Sequence, residues 1–278
     1  MERNVQSLVQ GNRAVDGAGV RLVRVLGRDT IEAFDPFLML DAFDSSNPSD
    51  YVKGFPWHPH RGIETVTYLI QGNILHEDSL GNKGDILNGC CQWMTAGSGI
   101  LHQEMPQASP RMLGLQLWLN LPASAKMAKP MYHDIRAENV PEIAENGAVV
   151  RVIAGQYNGV SGAAQGDHVA MTMLDVQLDA NAQFHLNTPT DETAFAYLFS
   201  GEGSFGGKKE TVKEKTAALV TQGDSRSGTA GADGLRMVVC VAKPLKESVA
   251  WGGPIVMNTR EELRQAFDEL DRGTFIKA

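Results

Sequence analysis

ETVTYLIQG (64–72) and TAFAYLFSG (193–201) share one build: an apolar run with strand-like spacing, a tyrosine at the same place (Tyr68, Tyr197) and a closing glycine (Gly72, Gly201). Short apolar or alternating runs ended by glycine mark strands that stop at a turn. A glycine-rich stretch follows each, SLGNKGD (79–85) and SGEGSFGGKK (200–209), where Gly and Asn supply the positive φ of a hairpin. The offset of 129 residues makes each half one small barrel. Outward from this pair, RLVRVLG (21–27), GLQLWLNLP (114–122), AVVRVIAG (148–155), MTMLDVQL (171–178) and LRMVVCVAK (235–243) read as further strands bounded by Gly, Pro, Asn or Asp. Many short strands at regular spacing indicate sandwiches or barrels, so the expectation is an all-β chain. The stretch between Pro122 and Gly147, charged, proline-bearing and without strand pattern, carries the boundary, giving domains 1–133 and 134–278. The C-terminus departs from this pattern. Thr259 with Glu262 three residues later is a capping box, and Leu263, Ala266, Phe267 and Leu270 form one apolar stripe of a helix ending near Arg272-Gly273.

Composition narrows the classes. A 42% hydrophobic and 21% charged content suits a globular protein of 278 residues in two domains. The net charge of -8 argues against direct nucleic-acid binding, which needs a basic surface. Cys90, Cys91 and Cys240 do not make a disulfide framework and read as small buried hydrophobes in a reducing compartment. The start MERNVQSLVQG lacks the form of a secretory signal, and no apolar run reaches the ~20 residues of a membrane span, so the expected location is the cytoplasm.

Chemistry concentrates in two segments. His58 and His60 stand two apart, and in an extended chain such residues project to one face, so both imidazoles reach one point. TAGSGILHQEMP repeats the device with His102 and Glu104, after a hairpin long enough to return a neighbouring strand. An isolated His-x-His is more often an ordinary pair of surface or core residues. Here it coincides with a downstream Glu64, a second His-x-Glu and glycine-rich turns. Three imidazoles and one carboxylate are too hard a set for Cu(I) and lack the thiolates of structural zinc. One divalent ion of Fe, Mn, Ni, Cu, Co or catalytic Zn fits, with two octahedral positions left for water, substrate or dioxygen. Glu64 and Glu104 both compete for the carboxylate role, and spacing leaves the choice open. His76 is expected beside the site, and His133, His168 and His185 to be ordinary solvated residues.

HPHRGIETVTYLIQG (58–72) with TAGSGILHQEM (95–105) resembles the cupin motif pair, and more closely the pirin family. DPFLMLDAFD (35–44), HEDSLGNKGDI (76–86), GLQLWLNLP (114–122) and the tail GGPIVMNTREELRQAFDELDRGTF (252–275) are also similar to pirin segments. The resemblance implies an all-β bicupin of two face-to-face barrels with a C-terminal helix. It also implies a single metal, usually iron as Fe(II), in the N-terminal barrel on His58, His60, His102 and Glu104. It thereby selects Glu104 and leaves Glu64 next to the ligands. Aligned on Tyr197 and Gly201, the second half carries Asn187, Pro189 and Thr193 where the first has His58, His60 and Glu64, so the second barrel is expected to be metal-free.

The resemblance implies a metal-dependent dioxygenase that opens flavonols such as quercetin with O2, Glu104 or a nearby base taking the substrate proton. Phe55, Trp57 and Met94 are candidate apolar neighbours for the aromatic ligand, or core. The alternatives are a non-enzymatic metal- and redox-sensing regulatory binding protein, and another cupin chemistry such as zinc-dependent isomerisation.

Overall fold

The computed structural model describes residues 1–277, apart from the side chain at position 226. The chain is all-β except for short helical turns and the helix Arg260–Asp271, and it folds as two compact units. The first barrel is built from 13–28, 37–137 and 245–278, the second from 1–12, 29–36 and 138–244.

In the first barrel an antiparallel seven-stranded sheet runs Met131–Ile135, Cys91–Thr95, Ile63–Gln71, Met112–Asn120, Phe37–Ser45, Val20–Leu26 and Asn12–Asp16. A four-stranded sheet has the order Phe55–His60, Ile100–Pro106, Ile74–Asp78 and Lys83–Ile86. Side chains alternate faces along each strand, so cross-strand neighbours form rows. One row of the large sheet is polar throughout: Arg24, Asp41, Gln116, Thr67, Gln92 and Asp134 stand opposite one another in register. A water-facing row would be ordinary, but Asp41, Gln116, Thr67 and Gln92 are all buried. Buried polar rows need partners, which makes this face the place to look for chemistry.

The second barrel has one nine-stranded antiparallel sheet, in which Val5–Gln10 pairs with Thr216–Val220, and Thr193–Phe205 with Ser225–Ala242. Its interior holds an apolar cluster that includes Phe184, Leu186, Phe205, Val212 and Met237. The sequence pair that defines the halves is present in both: Tyr68 and Tyr197 are fully buried, and Gly72 and Gly201 have positive φ (133° and 74°).

Three expectations differ from the structure. The stretch 122–147 does contain strands, Met131–Ile135 and Glu142–Glu145; their apolar residues are too few to show a period. The barrels are not separated by one cut at 133/134. The N-terminal strand belongs to the second barrel, and the C-terminal segment to the first. The helix with its Thr259–Glu262 capping box is where expected. It packs Ala266 with Ile255, Met257 and Phe275 and belongs to the first barrel, whereas its place in the chain assigned it to the second half. All three cysteines are free and buried, and among the described residues no helix is long and apolar enough to cross a membrane.

Candidate metal centre

The four-stranded sheet builds the site. On its central strand Ile100–Pro106, His102 stands opposite His58 on one side and Asp78 on the other, and Glu104 stands opposite His76. The i, i+2 pairs therefore share one face, which is buried at His60, His102, Glu104, His76 and Asp78. The imidazole nitrogens of His58, His60 and His102 lie within 4.8 Å of one another, with ring centroids 4.3 to 4.9 Å apart.

Hydrogen bonds assign the tautomers. His58 Nδ1 is 2.9 Å from the Pro56 carbonyl oxygen and His60 Nδ1 is 3.0 Å from that of Pro254. A carbonyl only accepts, so each Nδ1 carries the proton and each Nε2 presents a lone pair. Those two Nε2 atoms face each other at 3.1 Å. Two facing lone pairs repel unless a cation lies between them. Cis ligands at metal–nitrogen distances of about 2.1 Å stand roughly 3 Å apart, so the spacing fits an ion. His102 is fully buried and neither ring nitrogen has a hydrogen-bond partner, as suits a third ligand. Burial, with help from His58, pushes His60 down to about 3, and burial also holds His102 well below the usual histidine range. Both are neutral at pH 7, the form that binds metal.

Glu104 is not gathered with the three imidazoles. Its Oε1 accepts from Thr67 Oγ1 at 3.1 Å and its Oε2 from Gln116 Nε2 at 2.7 Å, both residues coming from the polar row of the facing sheet. The carboxylate is thus fixed on the same interior face as His102 with its orientation set by two neutral donors.

Glu64 does not adjoin the ligands as expected. It has the opposite strand parity to Thr67, and its oxygens accept from Trp93 Nε1 (3.1 Å) and Thr95 Oγ1 (3.0 Å) on the other face of the sheet. Parity does not carry from His60 to Glu64 because the chain breaks direction between them at Gly62, whose φ is +76° and where a Cβ would collide with the Val256 carbonyl. His76 stacks on Tyr132 with centroids 4.7 Å apart and lies 5.4 Å from the His102 ring. His133, His168 and His185 are exposed.

Several contributors came from outside the two histidine segments. Segment 250–276 holds the site from behind: Pro254 orients His60, while Arg61 donates to Glu269 and to the Phe275 and Ser98 carbonyls and lies over the Phe275 ring at 4.1 Å. Lys126 Nζ bonds the Gly62 and Val256 carbonyls, and burial pushes this ammonium down to about 7. A cavity of about 660 Å³ opens beside His58 and His60, within the size range of small-molecule sites. Phe55, Trp57, Trp118 and Trp251 form its aromatic walls, and Trp57 is 48% exposed at its mouth. Of the expected apolar neighbours, Phe55 and Trp57 line it, whereas Met94 is fully buried and does not. Of the residues that sequence reasoning missed, Gln116 left a signal: with Asn120 it is one of two amides in the otherwise apolar GLQLWLNLP.

The Pirin family model matches residues 19–119, and that of the pirin C-terminal cupin domain matches 173–276. A Pseudomonas aeruginosa protein provisionally named a quercetin 2,3-dioxygenase is 44% identical over 98% of this chain and 97% of its own. Human pirin is 39% identical over 90% of this chain and 86% of its own. The crystal structure of a quercetin 2,3-dioxygenase from Acinetobacter baumannii superposes with a TM-score of 0.90 at 32% identity, covering 99% of both chains. With two matching family models spanning most of its length and relatives above 40% identity, this chain belongs to the pirin family.

Proposed function

We propose that the protein is a mononuclear metal-dependent dioxygenase that opens flavonols such as quercetin, with one divalent ion, Fe(II), held by His58, His60, His102 and Glu104. The observation that carries this reading is the pair of facing Nε2 lone pairs on His58 and His60 at the end of an aromatic-walled cavity. The relatives named for quercetin 2,3-dioxygenase support the substrate class. When bound, the ion would supply Lewis acidity toward the flavonol oxygens and a place for dioxygen.

The chain's own residues do the rest. Phe55, Trp57 and Trp118 take the flat faces of the substrate, and burying aromatic surface there drives binding. Glu104 accepts the proton of the flavonol 3-hydroxyl, and Thr67 and Gln116 aim its carboxylate for that transfer. His60 is kept as a neutral donor by Pro254, and the buried imidazoles keep water from the reacting edge. The overall reaction takes a flavonol and O2 to a ring-opened ester with loss of carbon monoxide.

Oxygen uptake with quercetin by the iron-loaded protein, against His58→Ala and Glu104→Ala, tests the reading. Uptake by the wild type and its loss in both variants is the expected result. A wild type that consumes no oxygen with quercetin overturns the flavonol reading. Uptake retained in both variants overturns the residue roles.

A further inference from the structure

The cavity wall has a direction. From His60 it passes to the Trp118 ring (centroids 5.0 Å), then to the Trp251 ring (5.9 Å), and ends at the Arg28 guanidinium, 5.7 Å above Trp251. Aromatic contacts therefore lead in three successive steps from a candidate metal ligand to a cation along the lining of one cavity.

The charges along the lining are unevenly paired. Arg24 binds both cavity carboxylates: Nε and one terminal nitrogen take Asp41 at 2.9 and 2.7 Å, and that terminal nitrogen also takes Asp16 at 2.6 Å. Asp16 and Asp41 are thus committed to one guanidinium. Arg28, the second guanidinium of the lining, is exposed, and among the described residues its contact is the Trp251 ring and no carboxylate. A guanidinium within cation–π range of an indole and without a carboxylate partner keeps N–H donors available to receive a planar anion.

We propose that Arg28 and Trp251 form an anion subsite at the end of the cavity remote from His60, so that the preferred ligand is a flat aromatic with an anionic group, such as a carboxylate, at the end opposite the metal. The proposal deepens the dioxygenase reading and takes from it only the location of the metal end. Quercetin satisfies the aromatic walls and leaves Arg28 unused, so it ranks below an acidic analogue.

The test is binding without turnover, with the full chain loaded with redox-silent zinc and read by quenching of tryptophan fluorescence. The probes are two matched pairs: 3-hydroxyflavone-4′-carboxylate with its methyl ester, and caffeate with methyl caffeate. The acid binds about tenfold tighter than its ester, the size of a charge-assisted contact that stays partly hydrated. Arg28→Met brings that ratio to about one, and Arg28→Lys recovers part of it. Acid and ester binding equally to the wild type in both pairs, a ratio that survives Arg28→Met, or no binding by any probe overturns the proposal. An Arg28-dependent ratio for caffeate with no binding of either flavone supports the subsite and removes the flavonol reading. Equal flavone binding with no Arg28 dependence in either pair does the reverse.

Discussion

The two barrels share a strand pattern and differ in what fills them. In the first, the interior row Arg24, Asp41, Gln116, Thr67 and Gln92 is polar, and Thr67 and Gln116 donate to Glu104 on the strand that also carries His102. In the second, the corresponding space is occupied by Phe184, Leu186, Phe205, Val212 and Met237. The strand Gln183–Asn187 illustrates the change. Its buried positions are Phe184 and Leu186, while His185 and Asn187 face outward and bond each other at 3.1 Å. One barrel stores its stability in packed hydrocarbon, and the other gives up part of that packing to hold polar groups in a fixed array.

The contrast predicts that core truncation and site mutation separate cleanly. Phe205→Ala removes a ring packed against Gly203 and Gly228 and should cost about 3–5 kcal/mol in urea unfolding, with metal content unchanged. Metal loss in this variant would mean that the barrels do not divide stability and binding as described. Glu64→Gln should cost about 1–3 kcal/mol, because buried Trp93 and Thr95 lose a carboxylate acceptor, and should leave metal affinity alone. Weaker metal binding there would return Glu64 to the site.

Gln116→Met tests the polar side. It removes the donor to Glu104 Oε2 and should weaken metal binding by roughly 10–100-fold in competition titrations, since groups that orient ligands have effects of that size. Unchanged affinity would show that Glu104 needs no clasp. The smallest effect is expected from Glu269→Gln, which loosens Arg61 and with it the hold on the neighbouring His60. Metal affinity should fall a few-fold, and Glu269→Asp should restore part of it. An equal loss in both variants would point to general loosening of the helix.

The physics of strands explains what could be read from the chain and what could not. His58 with His60, and His102 with Glu104, were legible because i, i+2 spacing puts both members of a pair on one face and the device occurs twice. Glu64 misled because the same parity was extended across Gly62, where the backbone turns and one strand ends before the next begins. The Thr67 and Gln116 clasp joins strands of two different sheets, a relation that no local period encodes. Pro254 acts through a main-chain oxygen 194 residues from His60, so no side chain announces it. The boundary was hidden for a similar reason. Val5–Gln10 finds its partner strand at Thr216–Val220, and such exchange between halves leaves no mark on composition. The capping box at Thr259 and Glu262 was legible because it is entirely local.

The central claim is one metal per chain on the histidines of the first barrel. Elemental analysis after iron loading and removal of free ion, comparing the wild type with the triple variant His58→Ala, His60→Ala, His102→Ala, addresses it directly. The account predicts one ion per chain in the wild type and none in the variant. Two ions per wild-type chain, or an ion retained by a folded triple variant, would contradict it.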